Sequence, residues 1–259
     1  DLNFKEKSFL EITKKTKVSE IFKVISNYND TSEIRYVGGC VRKILNKEKF
    51  DDIDLATNLK PNEVKECLQN NNIDFFETGI EHGTITARLD EKNFEITSLR
   101  KDILTDGRHA EVEFTNEWTE DASRRDFTIN SIYADKEGNL FDPQDGVKDL
   151  ENGKVEFIGD PEKRVKEDYL RILRYIRFFL NYSKQDHKLN IKKIIKQNIN
   201  GVIKLSKERL IDELKKLVIS NGFIKICDDE FCKEILLLIF PQVKNIDIIK
   251  KIKKNYKKE

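Results

Sequence analysis

The 259-residue sequence contains no methionine, position 1 included, and only four prolines, three histidines and one tryptophan. A start at Asp1 means that either the beginning has been trimmed or methionine positions have dropped out. The lysine-rich end (Lys250, Lys251, Lys253, Lys254, Lys257, Lys258) reads as the flank of something longer. Long apolar runs are also missing. The longest, Ile235 to Phe240, falls far short of the about 18 residues that a membrane-spanning helix needs, and no secretory signal is expected. The four cysteines (Cys40, Cys67, Cys227, Cys232) form no CxxC pair and no histidine stands at zinc-ligand spacing from them. Neither a disulfide framework nor a structural zinc site is expected, and a reducing, cytoplasmic setting fits.

Charge is abundant and unevenly placed. Charged residues make up 37% of the chain against 38% hydrophobic, with a net charge of +1. Residues 1–150 hold 22 Lys and Arg against 31 Asp and Glu, a net −9, whereas residues 151–259 hold 26 against 16, a net +10. The asymmetry suggests an acidic head suited to cations ahead of a basic body suited to a polyanion, the alternative being solvated surface on both. The length also exceeds one domain's usual share, so two compact parts are expected, 1–150 and 151–259.

The pattern of elements changes at the same place. The first 28 residues read as helix, Ile34–Val37 as a buried strand, and Gly38-Gly39 as a turn into a helix ending at Leu45. Asp52–Thr57 reads as a short strand, and Pro61 opens a helix to about Gln69. Ile73–Phe76 is a strand, and Gly83–Leu89 with Phe94–Leu99 a hairpin turning at residues 90–93. From Pro161 onward helix periodicity takes over, at about 161–180, 189–199, 206–220 and 229–239. The expectation is α+β: a head with a small mixed sheet, followed by an all-helical neck and body.

Several constellations could carry chemistry. On a strand, Asp52 and Asp54 would share one face, and two adjacent anions are costly unless a cation neutralises them. Hard oxygen ligands of this kind suit Mg²⁺. Glu95 alternates with Phe94 and Ile96 and could supply a third carboxylate, as a two-metal phosphoryl-transfer site would want. Gly38-Gly39, with Arg42 one turn into the helix, would let the backbone approach a triphosphate. The pattern is neither GxGxxG nor GxxxxGK[ST], so the dinucleotide and P-loop classes drop out. Arg125, in a segment read as passing from helix into strand, could clamp a phosphate while Asp126 orients it.

Between Asp168 and Arg177 the helix reading puts Asp168 and Arg171 about 60° apart, able to act together, and Arg177 about 180° from Asp168. Arg174 and Arg177 would then serve phosphates or RNA, or hold the helix in place. A carboxylate accepts from an exocyclic amino group while a guanidinium donates to the neighbouring ring nitrogen. Only C and A present that pair of groups, and U and G would leave buried partners unmet.

YVGGCVR, DDIDLAT, FEITSLR, DGRHAEVEF, EDASRRDFTIN, FDPQDGVKDL, EDYLRILRYIRF and LSKERLIDEL, in this order over roughly residues 34–220, resemble the successive motifs of one family. That family comprises the class II tRNA nucleotidyltransferases and bacterial poly(A) polymerases, within the polymerase β-like nucleotidyltransferases. The resemblance implies metal binding by Asp52 and Asp54, with Glu95 as third catalytic carboxylate. It implies triphosphate contacts from Gly39 and Arg42 and a nucleotide contact from Arg125. Asp168 and Arg171 would form the amino-acid template for the base, with Arg174 and Arg177 around the nucleotide. Ser206, Glu208, Arg209 and Glu213 match the motif supporting the template helix, and Lys43 stands where the family usually has Asp. The implied activity is addition of CCA to a tRNA 3′ end from CTP and ATP with two Mg²⁺ ions. A poly(A) polymerase, a CC-only or A-only enzyme and a non-catalytic RNA-binding module are the alternatives. Residues 106–111 (DGRHAE) resemble the CCA-adding version.

Overall fold

Residues 1–150 and 151–259 form two units, and the computed structural model describes residues 3–104 and 110–243. The first unit begins with α1 (Phe4–Lys15) and α2 (Val18–Ser26), then β1 (Ile34–Val37) and α3 (Gly39–Leu45). β2 (Asp54–Thr57), α4 (Pro61–Asn70), β3 (Asp74–Gly79), β4 (Thr84–Leu89) and β5 (Lys92–Ser98) follow. β6 (Arg100–Leu104), β7 (Ala110–Phe114), α5 (Trp118–Ser123), β8 (Tyr133–Ala134), β9 (Leu140–Phe141) and α6 (Gly146–Glu151) complete it. Seven strands make one sheet in the order β3-β4-β5-β2-β1-β8-β9, and β6 and β7 form a separate hairpin. Within the large sheet β2 and β5 run parallel, pairing Asp54 with Glu95, and the other described pairs are antiparallel.

Period-two alternation sorts these strands into two faces. Tyr36, Leu55, Ile85, Phe94 and Ile96 point into the main core with Phe9, Ile21, Val41, Ile44, Val64 and Leu68 from the helices. The intervening residues Val37 and Ala56 lie with Leu99, Trp118, Ala122 and Tyr133 in a smaller cluster. Burying one such large apolar side chain contributes about 1.5–3 kcal/mol, so register is firmly set, and with it the face on which Asp54 and Glu95 stand.

Three local expectations are corrected here. The helix read over the first 28 residues is two, because Thr16 adopts an extended backbone and its hydroxyl bonds Ile12 O at 2.8 Å, then accepts from Val18 N at 3.3 Å. The hairpin turns on Asp90-Glu91 alone, both at positive φ (47° and 63°), leaving Lys92 and Asn93 in β5. After α5 the chain enters a 3-10 turn at Thr128–Asn130 rather than a strand.

In the second unit the elements are α7 (Pro161–Glu167), α8 (Leu170–Tyr182), α9 (Leu189–Gln197), α10 (Ile199–Ile203), α11 (Lys207–Ile219) and α12 (Glu230–Ile239), with a 3-10 segment over Asn221–Asp228. The expected continuous helix over 161–180 is broken at Asp168, which is extended (φ −151°, ψ 105°) and accepts from Leu170 N at 3.1 Å. Aspartate competes for backbone donors in this way, which favours it at helix starts over helix interiors. α8 buries Ile172, Leu173, Tyr175, Ile176, Phe178 and Leu180. Asn181 bridges it to the 3-10 segment, accepting from Gly222 N at 2.7 Å. A Cβ on Gly222 would stand 2.4 Å from Leu180 O, so this close approach requires glycine. Among the described residues no helix is long and apolar enough to cross a membrane.

Candidate active site

Asp54 and Glu95 stand side by side on the smaller-cluster face of the first unit, and the charge of Asp52 acts on Asp54. β2 begins at Asp54, so Asp52 precedes the strand rather than lying on it as expected. The parallel register places Glu95 beside Asp54. Asp52 and Glu95 are exposed and Asp54 is half-buried. Burial, then the negative charges of Glu95 and Asp52, push the Asp54 carboxyl up to about 6, with Arg125 acting in the opposite sense. A group of anions that drives one of its members toward protonation is a donor set short of positive charge, and three hard oxygen donors fit Mg²⁺.

Glycines and arginines border this acidic group. Gly38 has φ +72° and ψ −126°, a conformation that L side chains rarely adopt. Its open side faces Arg125 Nη1, 3.9 Å from where a Cβ would stand, and that of Gly39 faces Arg42 Nη2 at 3.7 Å. Arg42 is buried and donates to Asn130 Oδ1, and Asn130 Nδ2 donates to Asp126 Oδ1 at 3.0 Å. Arg125 is held by Asp121, whose Oδ2 accepts from Arg125 Nη2 at 3.2 Å and from Tyr133 Oη at 2.5 Å. Asp121 Oδ1 accepts from Arg124 Nε at 3.1 Å and from Arg100 N at 3.2 Å.

The sequence pattern assigns Asp126 to orient Arg125; the Asp126 carboxylate accepts from Phe127 N and Asn130, and Asp121 holds Arg125 directly. The sequence pattern assigns no part to Asp121 or Tyr133. The i,i+4 spacing of Asp121 and Arg125 on a helix end was the available signal for one.

Burial alone would raise the Asp121 carboxyl, but Arg125, Arg124 and the Tyr133 hydroxyl together hold it down at about 2. A depressed folded pKa adds stability above the unfolded value near 4 and loses it as pH falls through about 2. Replacing one member of a buried ion pair costs about 3–5 kcal/mol. Asp121→Asn is therefore expected to lower unfolding free energy by that order at pH 7, and by much less near pH 2. Urea unfolding at both pH values checks this, and an equal loss at both would overturn the account.

In the second unit the expected site residues Asp168 and Arg171 are each held by other partners. Asp168, outside any helix, accepts from Arg209 Nη2 at 3.2 Å (Oδ1) and 2.9 Å (Oδ2). Arg171 Nη1 donates to Glu167 Oε2 at 3.1 Å and to Arg164 O at 2.7 Å. The helical-wheel separation of Asp168 from Arg171 and Arg177 thus does not apply. Arg177 pairs with the buried Glu213 at 2.7 Å, the helix-holding alternative. Its guanidinium and that of Arg174 lie 4.5 and 5.3 Å from the Phe178 ring centre. Ser206 caps α11, accepting from Arg209 N at 3.3 Å. Residues 105–109, which carry most of the DGRHAE motif, and the lysine-rich end lie outside the described residues.

Known proteins resemble the chain in both sequence and fold. The model of the poly A polymerase head domain matches residues 34–156, the stretch holding Gly38, Arg42, the three carboxylates and Arg125. Human mitochondrial CCA tRNA nucleotidyltransferase 1 is 49% identical over 195 residues, 74% of this chain and 45% of the relative. The Bacillus stearothermophilus CCA-adding enzyme in complex with CTP superimposes with a TM-score of 0.68 at 27% identity, covering 80% of this chain and 50% of that one. A tRNA nucleotidyltransferase complexed with a primer tRNA and an incoming ATP analog gives a TM-score of 0.64 at 25% identity, covering 86% of this chain and 62% of that one. The chain spans about half the length of these relatives. With the head-domain match, the level of identity and the shared fold, the chain belongs to the class II tRNA nucleotidyltransferase family, which contains CCA-adding enzymes and bacterial poly(A) polymerases.

Proposed function

We propose that this chain carries the catalytic machinery of a CCA-adding enzyme, extending a tRNA 3′ end from CTP and ATP with release of pyrophosphate. The carrying observation is the pairing of Asp54 with Glu95 near Asp52, where burial and then the neighbouring negative charges push the Asp54 carboxyl up to about 6, bordered by Arg125 and the glycine turn. Asp52 and Asp54, with Glu95 beside them, would hold two Mg²⁺ ions, which when bound favour ionisation of the 3′ hydroxyl and offset charge on the phosphates. Gly38 and Gly39 leave room for the triphosphate, Arg42 and Arg125 neutralise it, and Asp121, Tyr133 and Asn130 keep both guanidiniums in place. Proton loss from the 3′ hydroxyl, its attack on the α-phosphate and departure of pyrophosphate then require no covalent intermediate on the protein.

Asp168, exchanging Arg209 for the base, and Arg171, exchanging Glu167, would read the base edge, accepting from the amino group of C or A and donating to the adjacent ring nitrogen. The net +10 of residues 151–259 suits the tRNA phosphates. Affinity for tRNA is expected to fall linearly on a log–log plot against salt, and a flat response in a filter-binding titration would remove that role. The four cysteines are free and buried, which supports a reducing compartment, and we assign the cytoplasm.

The direct test is incubation of the chain with Mg²⁺ and a tRNA lacking CCA, with each nucleoside triphosphate singly and then CTP with ATP, followed by sequencing of the products. Terminal CCA supports the proposal. Long A tails would replace it with poly(A) polymerase, CC or a single A with a partial enzyme, and no addition with a binding role for this portion of the family.

A further inference from the structure

The second unit holds a cluster that the reaction does not use. His187 lies between α8 and α9, and Asp229 and Cys232 lie at the start of α12. The three side chains present one ligand atom each, all within 4.8 Å of one another. His187 Nε2 is 2.8 Å from Asp229 Oδ2 and 3.6 Å from Cys232 Sγ. Cys232 is fully buried, and the His187 and Asp229 side chains are 7% and 16% exposed.

We propose that His187, Asp229 and Cys232 form a binding site for a borderline-soft divalent cation of the zinc type, tying the segment between α8 and α9 to the start of α12. The donor set of imidazole nitrogen, carboxylate oxygen and thiolate sulfur is one that Zn²⁺ takes. Bond lengths of about 2.0–2.1 Å to nitrogen and about 2.3 Å to sulfur in a tetrahedron separate those two atoms by roughly 3.6 Å, the separation found here. The nitrogen and carboxylate, now hydrogen-bonded, would open by roughly 0.5 Å to the corresponding tetrahedral edge. A solvent molecule would complete the coordination.

The surroundings favour this geometry. Tyr175 Oη is 2.7 Å from His187 Nδ1, so with Nδ1–H donating to the phenol oxygen, the Nε2 lone pair points at Asp229 and Cys232. Metal-ligating histidines ordinarily have their other nitrogen anchored in this way. Phe179 stacks on the imidazole at 3.5 Å and Phe231 meets its face edge-on at 4.8 Å, which limits water on both sides. Asp229 also caps α12, accepting from Cys232 N at 2.9 Å, so the two ligands on that helix are already fixed relative to each other.

Without a cation, the carboxylate takes hydrogen bonds from His187 and from the Cys232 thiol. Burial, then the Asp229 charge, keeps that thiol protonated. On binding, the imidazole proton resides on Nδ1 and the thiol proton leaves, so one proton is released per ion by a neutral imidazole. The resulting site, with two anionic ligands and a divalent ion, is neutral. The sequence conceals this set because its histidine stands 42 residues before Asp229 and the pair on α12 is Asp-x-x-Cys rather than CxxC.

Cobalt(II) titration of the metal-stripped, reduced chain provides the test. One equivalent should produce a thiolate-to-cobalt band in the near ultraviolet and the strong visible bands of a tetrahedral ion, both displaced by Zn²⁺. Cys232→Ser should lose the thiolate band, whereas Cys227→Ser should keep it. Tyr175→Phe, which leaves every ligand in place, should weaken affinity about 10–100-fold. Zn²⁺ should also raise the unfolding temperature of the unmodified chain, where Mg²⁺ has no such effect through this site. Absence of the thiolate band in the unmodified chain overturns the proposal without any variant having to fold. So does a band that persists in a folded Cys232→Ser protein.

Discussion

Replacing Asp54 with asparagine is expected to abolish nucleotidyl transfer while making the cation-free protein harder to unfold. The carboxyl titrates at about 6 in the folded chain against 3.8 as its ordinary value, because it is buried and faces Glu95 and Asp52. A raised folded pKa means that the native state binds the proton more tightly than the unfolded chain does. Its relative stability is then greatest below pH 4 and declines as pH rises to about 6, beyond which the penalty is complete. A shift of that size corresponds to roughly 2–3 kcal/mol at neutral pH. The asparagine carries no charge, so Asp54→Asn should recover most of that amount in urea unfolding with EDTA at pH 7.5, and almost none at pH 4. Activity should fall to background in the same preparation, since the cation site loses its central ligand.

Asp52→Asn provides the contrast. Asp52 is exposed and its own solvation is largely intact, so the substitution should remove activity with a much smaller gain in stability. Mg²⁺ should stabilise the unmodified chain and leave the Asp54→Asn variant nearly unaffected. If Asp54→Asn destabilises the cation-free protein at pH 7.5, the three carboxylates are not in electrostatic conflict and the argument for a cation among them fails. The pH window separates this effect from that of Asp121, which acts with the opposite sign between about pH 4 and pH 2.

The head was legible in the sequence wherever local pattern and tertiary placement coincide. Ile34–Val37, the glycine turn and the helix after it could be read because a buried apolar run, a pair of glycines and a periodic segment each leave a short-range mark. The proximity of Glu95 to Asp54 was open to guesswork through alternation alone, since the parallel pairing of β2 and β5 is a contact across 41 positions that no local pattern records. Asp121 leaves no short-range mark for the same reason: its importance lies in Tyr133 and the Arg100 amide, both remote in sequence. At Asp168 the error had a local cause. Apolar periodicity runs through the break, where the extended Asp168 ends α7 and its carboxylate accepts from the first amide of α8. A helical wheel assumes continuity and therefore misplaces each residue on the far side of such a break.

That break shapes the second large effect, on nucleotide choice. Asp168→Ala removes the carboxylate proposed to read the base but also the acceptor for Leu170 N, and the lost hydrogen bond costs about 0.5–1.5 kcal/mol of stability and blurs the result. Asp168→Asn is the sharper substitution, because an amide oxygen can still accept from Leu170 N. Its amino group would now donate to a base carbonyl, satisfying O4 of U or O6 of G where the carboxylate met acceptor with acceptor. Arg171 would still face a ring N–H on those bases, so discrimination should weaken rather than reverse. Selectivity for CTP and ATP over UTP and GTP is expected to fall by about 1–3 kcal/mol, or roughly 5- to 150-fold in relative kcat/KM. The partner Arg209 bears on the same carboxylate, but the pair is 47% and 34% exposed, and exposed ion pairs are worth about 0–1 kcal/mol. Arg209→Ala should therefore change selectivity by less than Asp168→Asn does. Relative kcat/KM for the four nucleotides decides between them: equal selectivity in the unmodified and Asp168→Asn proteins would show that this carboxylate does not read the base, and a larger effect at Arg209 would assign that part to the guanidinium.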